Sequence, residues 1–407
     1  MVEVNTHVVM VSIGVVILIT WAWKFLNDFW FKPKKLETFM RSQGFKGNPY
    51  RFLRGDFIEM IRMTQQAQSK PIKLDDYVVP SIAPFHYKMV QKYGKNCFFW
   101  YGPKLHLNIT DPDMIKEIMH KHNIFQRPAL SSLSKLTING LVIKEGDEWM
   151  KHRKIINPAF GAEKLKNMIP LMYVSCLEVV KKWEELIQEE GFGEIDVWPD
   201  IEKLTADVIS RTTFGSSYEE GKRIFQLQKE QFVLTHQSLW SNYIKGWRFL
   251  APKMNKRLKE ISRETDAIMR DLMLSREKRM ENKEKCEDML GILMESNLQE
   301  IQKNGDDVGS GLSSEDVMKE CKLFYFAGQE TTSNLISWTM IMLGLHLDWQ
   351  ERAREEITQV LGDNQPNLDA LNHLKIVTCF VGFFIFAGLT SLLLLRIITC
   401  DYVGFCS

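Results

Sequence analysis

Apolar residues crowd the chain in three places, and their spacing sets the elements it predicts. From Val8 to Leu26 only Ser12, Thr20 and Lys24 interrupt an apolar run. A helix of that length rises about 28 Å, close to the hydrocarbon thickness of a bilayer. No Lys or Arg precedes the run, and Trp21-Ala22-Trp23 is a poor small-residue cleavage site, so an uncleaved anchor is expected rather than a signal peptide. Lys24, Lys32, Lys34, Lys35, Arg41, Lys46, Arg51 and Arg54 follow it, which by the positive-inside tendency keeps the main body cytosolic.

Between the anchor and the second apolar run the pattern is that of a mostly α protein with a small β part. Leu36 to Gln66 reads as helix broken at Gly44 and Gly47, and Pro80 to Pro84 as an extended connector. Asn96 to Tyr101 and Lys104 to Thr110, joined by Gly102-Pro103, form a hairpin, and Asp111-Pro112 starts a helix to about His122. Further helices are expected over 165–190, 199–213, 219–237, 253–283 and 288–298. A loop around Gly305 to Gly311 follows, and Ser313 and Ser314 with Glu315 and Asp316 cap the start of a central helix.

That central helix holds the candidate chemistry. Between Leu323 and Leu347 its one formal charge is Glu330, so the helix is expected to run through a core or a bilayer, and its acid needs a partner or a task. Ala327 and Gly328 strip away side chain where something flat could approach, and Glu330, Thr331 and Thr332 follow. Mid-helix hydroxyls bond the carbonyl one turn back and loosen the ladder. An acid beside an alcohol there can pass protons; a buried Glu330 paired with an Arg is the structural alternative. A second candidate is Trp149 with Arg153, four apart on one helix face, which can grip an anionic group together or form a surface cation–π pair. His152, between a Lys and an Arg, reads as solvated.

Ala327-Gly328-Gln329-Glu330-Thr331-Thr332 on a long apolar helix resembles the oxygen-activation helix of the cytochrome P-450 family, the haem-thiolate monooxygenases. The resemblance implies that Ala327 and Gly328 lie against haem, that Glu330 and Thr331 deliver protons for oxygen activation, and that Trp149 and Arg153 bind a haem propionate. It implies the cytochrome P-450 fold, electrons from an NADPH-dependent reductase, an apolar small-molecule substrate, and an endoplasmic-reticulum membrane location. Phe232, Leu234, Leu239, Trp240, Trp247, Phe249 and Leu250 would then line a lipophilic entrance. Trp23-Lys24-x-Leu26-Asn27 before Lys32-Pro33-Lys34-Lys35-Leu36-Glu37, and Asp348 to Glu356, are similar to plant members grouped as clan seventy-two.

The resemblance stops at about Thr378. No Glu follows Glu356, so the family's Glu-x-x-Arg helix is not in the remaining residues, and Glu351 to Arg354 reads as an exposed charge pair. Cys379, Cys400 and Cys406 have neither the aromatic and glycine lead-in nor the following Gly of the ligand loop. The third apolar run, Ile376 to Leu395, stands there instead; it is long enough for a second span, but the favoured account is that the chain departs from its family at about Cys379 through altered splicing or a gene-model error. The expected organisation is an anchor over 8–26, an incomplete cytochrome P-450 domain over 27–378 and a divergent apolar tail over 379–407. The chain is then expected to lack its haem-ligand Cys and to be inactive as a monooxygenase. The alternatives are a non-catalytic membrane-associated interaction protein that binds a reductase, and a two-span membrane protein without redox chemistry.

Composition narrows the rest. With 52 Lys+Arg against 51 Asp+Glu over 407 residues, nothing suggests a nucleic-acid partner. Seven scattered cysteines show no metal-type spacing and fit a reducing compartment, so no metal held directly by side chains is expected.

Overall fold

The computed structural model describes residues 6–379 other than 72–76, 122–123, 127–133, 138, 188–192, 217, 239–251, 283–286 and 306. These fall into two compact units, residues up to 126 and residues from 134. The division falls inside the stretch expected as one domain, and most of the apolar tail lies outside the described residues.

The first unit begins with α1 (Thr6–Leu26), which passes through a π-helical turn (Asn27–Phe31) directly into α2 (Lys32–Ser42). Among the described residues this continuous helix, Val8–Ser42, is the one long and apolar enough to cross a membrane. A three-stranded sheet follows, in the order β1 (Lys46–Gly47), β2 (Cys97–Tyr101), β3 (Lys104–Asn108). The run Cys97-Phe98-Phe99-Trp100 is apolar without alternation because β2 is covered on both faces. Phe98 and Trp100 pack with Met40 and Tyr50, while Cys97 and Phe99 pack with Met60, Phe85 and Met89. The predicted hairpin is the β2–β3 pair, Cys97 opposite Asn108 and Tyr101 opposite Lys104.

β1 pairs with β2 in parallel, Gly47 beside Phe98. A Cβ on Gly47 would lie 2.1 Å from the Phe98 carbonyl oxygen, backbone that cannot step aside. Gly47→Ala should therefore destabilise this unit by about 1–3 kcal/mol through overpacking, read as a lower urea midpoint in the near-ultraviolet signal of its aromatic core.

Helices α3 (Phe57–Gln68), α4 (Val79–Ile82), α5 (Pro84–Tyr93) and α6 (Pro112–His120) complete the unit. The expected extended connector at Pro80 to Pro84 is helical. Both prolines fall in first turns, where the N–H they lack has no helical partner anyway.

The second unit is all α. It comprises α7 (Ser134–Thr137), α8 (Gly146–Ile156), α9 (Ala162–Ile187), α10 (Val197–Phe214), α11 (Tyr218–Ser238), α12 (Pro252–Glu281), α13 (Met289–Lys303), α14 (Ser314–Leu345), α15 (Leu347–Leu361) and α16 (Leu368–His373). Ser313 caps α14 as expected, its hydroxyl accepting from Asp316 N at 3.1 Å, and Gly215 ends α10 in the left-handed conformation. α10 lies along α14, and Val317, Cys321 and Tyr325 of α14 join Ala206, Phe214, Ile224, Met269 and Leu293 in the main core.

The central helix is buried only in its first half. Beyond Ser333 it leaves Trp338, Met340, Ile341 and Leu345 exposed, with Trp338 at 46%.

Candidate active site

The site residues of the second unit are set by the angular positions they take on α14. Glu320, Ala327, Thr331, Trp338 and Leu345 recur at intervals of seven, four, seven and seven residues and so share one face. At its start that face is closed. Glu320 is 0% exposed, its Oε1 lies 2.6 Å from His152 Nδ1 of α8, and its Oε2 accepts from Leu141 N at 2.9 Å. Gly140, at φ +67°, brings this turn so near that a Cβ there would lie 2.7 Å from Glu320 Oε2.

His152 is 2% exposed, which corrects the expectation that it is solvated. It sits with Ile155 and Ile156 on the inward face of α8, a pattern masked in the sequence by the cations on either side. Neither this clamp nor Glu320 was singled out from the sequence. The available signal was an acid seven residues before Ala327, on the same helix face, with a His in a helix that also carries Ile155 and Ile156.

Two turns further on, about 10 Å along the helix, the face opens. Ala327, Thr331 and Thr332 are exposed, and Thr331 Oγ1 donates to Ala327 O at 2.6 Å. The hydroxyl run back-bonds as expected: Ser333 reaches Glu330 O, Ser337 reaches Ser333 O and Thr339 reaches Leu335 O. Glu330 is half-buried beside Thr331 and makes no ion pair among the described residues. Asn334 Nδ2 donates to its carbonyl at 2.7 Å and lies 3.5 Å from Oε1.

Ala327 and Gly328 point in different directions. Neighbours on a helix point about 100° apart, so Ala327 belongs to the open face while Gly328 faces α10. A Cβ on Gly328 would lie 2.5 Å from Ile209 Cδ1. What approaches Gly328 closely in this structure is therefore a neighbouring helix.

On α8, Trp149 is half-buried, and Arg153 is exposed and without an ion pair among the described residues. Because His152 holds α8 at the Glu320 end of the open face, Arg153 stands on the element that borders it. Two cavities in this unit lie elsewhere, one of about 100 Å³ beside Gly215 and Arg276, the other beside Lys182 and Asp196.

Haem is accommodated in part. A small residue and a hydroxyl on an open helix face, with a free guanidinium on the adjoining element, suit the edge of a flat, carboxylate-bearing cofactor. Two of the described thiols, Cys97 and Cys321, are buried in apolar surroundings and do not suit a metal-ligating thiolate. Burial raises the Cys97 thiol to about 11 and pushes the Cys321 thiol up as well. Among the described residues no three His, Cys, Asp or Glu side chains gather as metal ligands. Cys286, Cys400 and Cys406, and the entrance residues from Leu239 to Leu250, lie outside the described residues. Arg354 and Glu351, 3.1 Å apart, are both exposed on α15.

The sequence that builds this site matches known proteins. The sequence profile of cytochrome P450 covers residues 79–382, and the chain belongs to that family. It is 51% identical over 366 residues to cytochrome P450 CYP72A219 of Panax ginseng, spanning 89% of this chain and 70% of that protein. It is 46% identical over 378 residues to cytochrome P450 72A15 of Arabidopsis thaliana, spanning 92% and 73%. To the 7-deoxyloganic acid hydroxylase of Catharanthus roseus it is 45% identical over 381 residues, spanning 92% and 73%.

Proposed function

We propose that the chain derives from a membrane-anchored, haem-dependent monooxygenase acting on an apolar small molecule, with electrons from an NADPH-dependent reductase. In this reading it is held by α1 in the endoplasmic-reticulum membrane with its main body in the cytosol. The observation that carries the proposal is the open face of α14, where Ala327 and Thr331 are exposed and Thr331 is hydrogen-bonded to the carbonyl of Ala327.

Haem supplies the oxygen-activating chemistry when bound. The chain's own residues do the rest. The Trp149 indole N–H and the Arg153 guanidinium would hold a propionate carboxylate, a charge-assisted arrangement about twice as strong as neutral hydrogen bonds. Ala327 offers a face without bulk. Thr331 Oγ1, bonded to a carbonyl through its own hydrogen, keeps its lone pairs available to accept a proton or a water. Glu330, without a cation among the described residues, would exchange protons with solvent, and a water would carry them between its carboxylate and the Thr331 hydroxyl, since neighbours on a helix point about 100° apart.

The 407-residue chain itself is proposed not to work as a monooxygenase, because none of its seven cysteines stands in a loop like the family's ligand loop. Anchoring and reductase contact are what such a chain retains. The test is the carbon-monoxide difference spectrum of the reduced, purified chain. The expected result is no thiolate-type band, with haem retained weakly and less so in Trp149→Ala and Arg153→Ala. A thiolate-type band would overturn the inactivity, and retention unchanged in both variants would remove those residues from the site.

A further inference from the structure

The first unit displays a second apolar element beside the membrane helix. The turn Arg51 to Arg54 carries Phe52 and Leu53 at 41% and 43% exposure. Leu53 has φ +62°, the one non-glycine residue with positive φ among the described residues. A branched side chain is held there against its own preference, in a turn fixed from two sides. The buried Tyr50 donates its hydroxyl hydrogen to Phe29 O at 2.6 Å and accepts from Leu53 N at 3.2 Å. The effect is to present two large apolar groups outward.

Their surroundings indicate what they meet. The Phe52 ring stands edge-on to Phe25 of α1 at 6.3 Å and to Trp30 at 5.9 Å. The turn therefore continues the aromatic end of the candidate span, and Trp30 and Phe31 are also exposed. Arg54, next in sequence, is exposed and unpaired among the described residues. Apolar tips flanked by a free cation match the boundary between acyl chains and phosphate headgroups.

We propose that the Arg51–Arg54 turn is a lipid-inserting wedge. Phe52 and Leu53 enter the headgroup and acyl boundary next to the end of α1, and the Arg54 guanidinium meets lipid phosphate. This rests on the anchoring part of the proposed function and adds to it a second contact, which fixes how the first unit faces the bilayer.

The test uses the full chain in vesicles of phosphatidylcholine and phosphatidylserine. The photo-cross-linker p-benzoylphenylalanine replaces Trp21, Phe52 or, on exposed α6, Met119 in separate preparations, and lipid adducts are counted by mass spectrometry. Positions 21 and 52 should each give roughly tenfold more lipid adduct than position 119, the contrast between acyl-boundary depth and bulk water. Lipid adduct at 21 with only a protein adduct, or none, at 52 overturns the wedge and leaves the anchor standing. No lipid adduct at 21 overturns the anchor and the wedge with it.

Discussion

Glu320→Ala should cost the second unit about 3–5 kcal/mol, the loss found when one partner of a buried polar pair is removed. Glu320 is fully buried and serves two groups from two other elements, the His152 ring and the Leu141 N–H. Without it the Leu141 N–H and the His152 Nδ1 lose their partner inside the core, each at about 1–3 kcal/mol, and the departed side chain leaves a cavity. Glu320→Gln keeps the volume and one acceptor and should cost clearly less. The measurement is the urea midpoint of the full chain, with the exposed Glu351→Ala as the control. A midpoint for Glu320→Ala equal to that control would show that the clamp contributes nothing. The consequence for the site is positional, since this clamp holds the helix bearing Arg153 at the closed end of the face bearing Thr331.

Mild acid should unfold the first unit for a different reason. His86 and His106 are buried around Phe99, their ring centroids 5.3 Å and 5.6 Å from its own. Desolvation pulls His86 down to about 4. His106 falls to about 3, by desolvation first and then by the charges of Lys104 and His86. In the unfolded chain both rings titrate near 6.5, so below that pH the unfolded state binds protons the folded state refuses. The stability these rings allow is complete above about pH 6.5 and is lost as pH falls toward 4 and then 3. Each ring contributes a slope of about 1.4 kcal/mol per pH unit. Urea midpoints from pH 7 to pH 4.5 should drop steeply in the aromatic signal of this unit, and His106→Gln should remove about half of the slope. A flat profile in the parent chain would refute it.

The elements legible in the sequence were those whose signals are local. Ser313 announces the central helix through its own hydroxyl, and Gly102-Pro103 announces the hairpin. The back-bonding of the hydroxyl run was legible for the same reason, since each donor reaches a carbonyl three or four residues back. What could not be read depended on distant partners. β1 is two residues long and exists because Gly47 lets the Phe98 backbone approach. His152 looked solvated because its acid stands far along the chain in Glu320. Ala327 and Gly328 looked like a pair because sequence adjacency conceals the rotation between helix neighbours, and only Ile209 reveals which way the glycine points. Pro80 and Pro84 misled because proline forbids the middle of a helix and favours its first turn, and the sequence did not say which applied.

The passage from α1 into α2 through a π-helical turn, without a flexible joint, makes the candidate span a lever. The continuous helix Val8–Ser42 spans 35 residues, and Tyr50 bolts its middle to the turn that carries Phe52. With α1 anchored as proposed, a tilt of the rod in the bilayer would pass to the sheet as a rotation of the same size. One residue added between Asn27 and Phe31 would swivel everything after it by about 100°, so the number of residues in that turn works as a dial for the azimuth of the first unit.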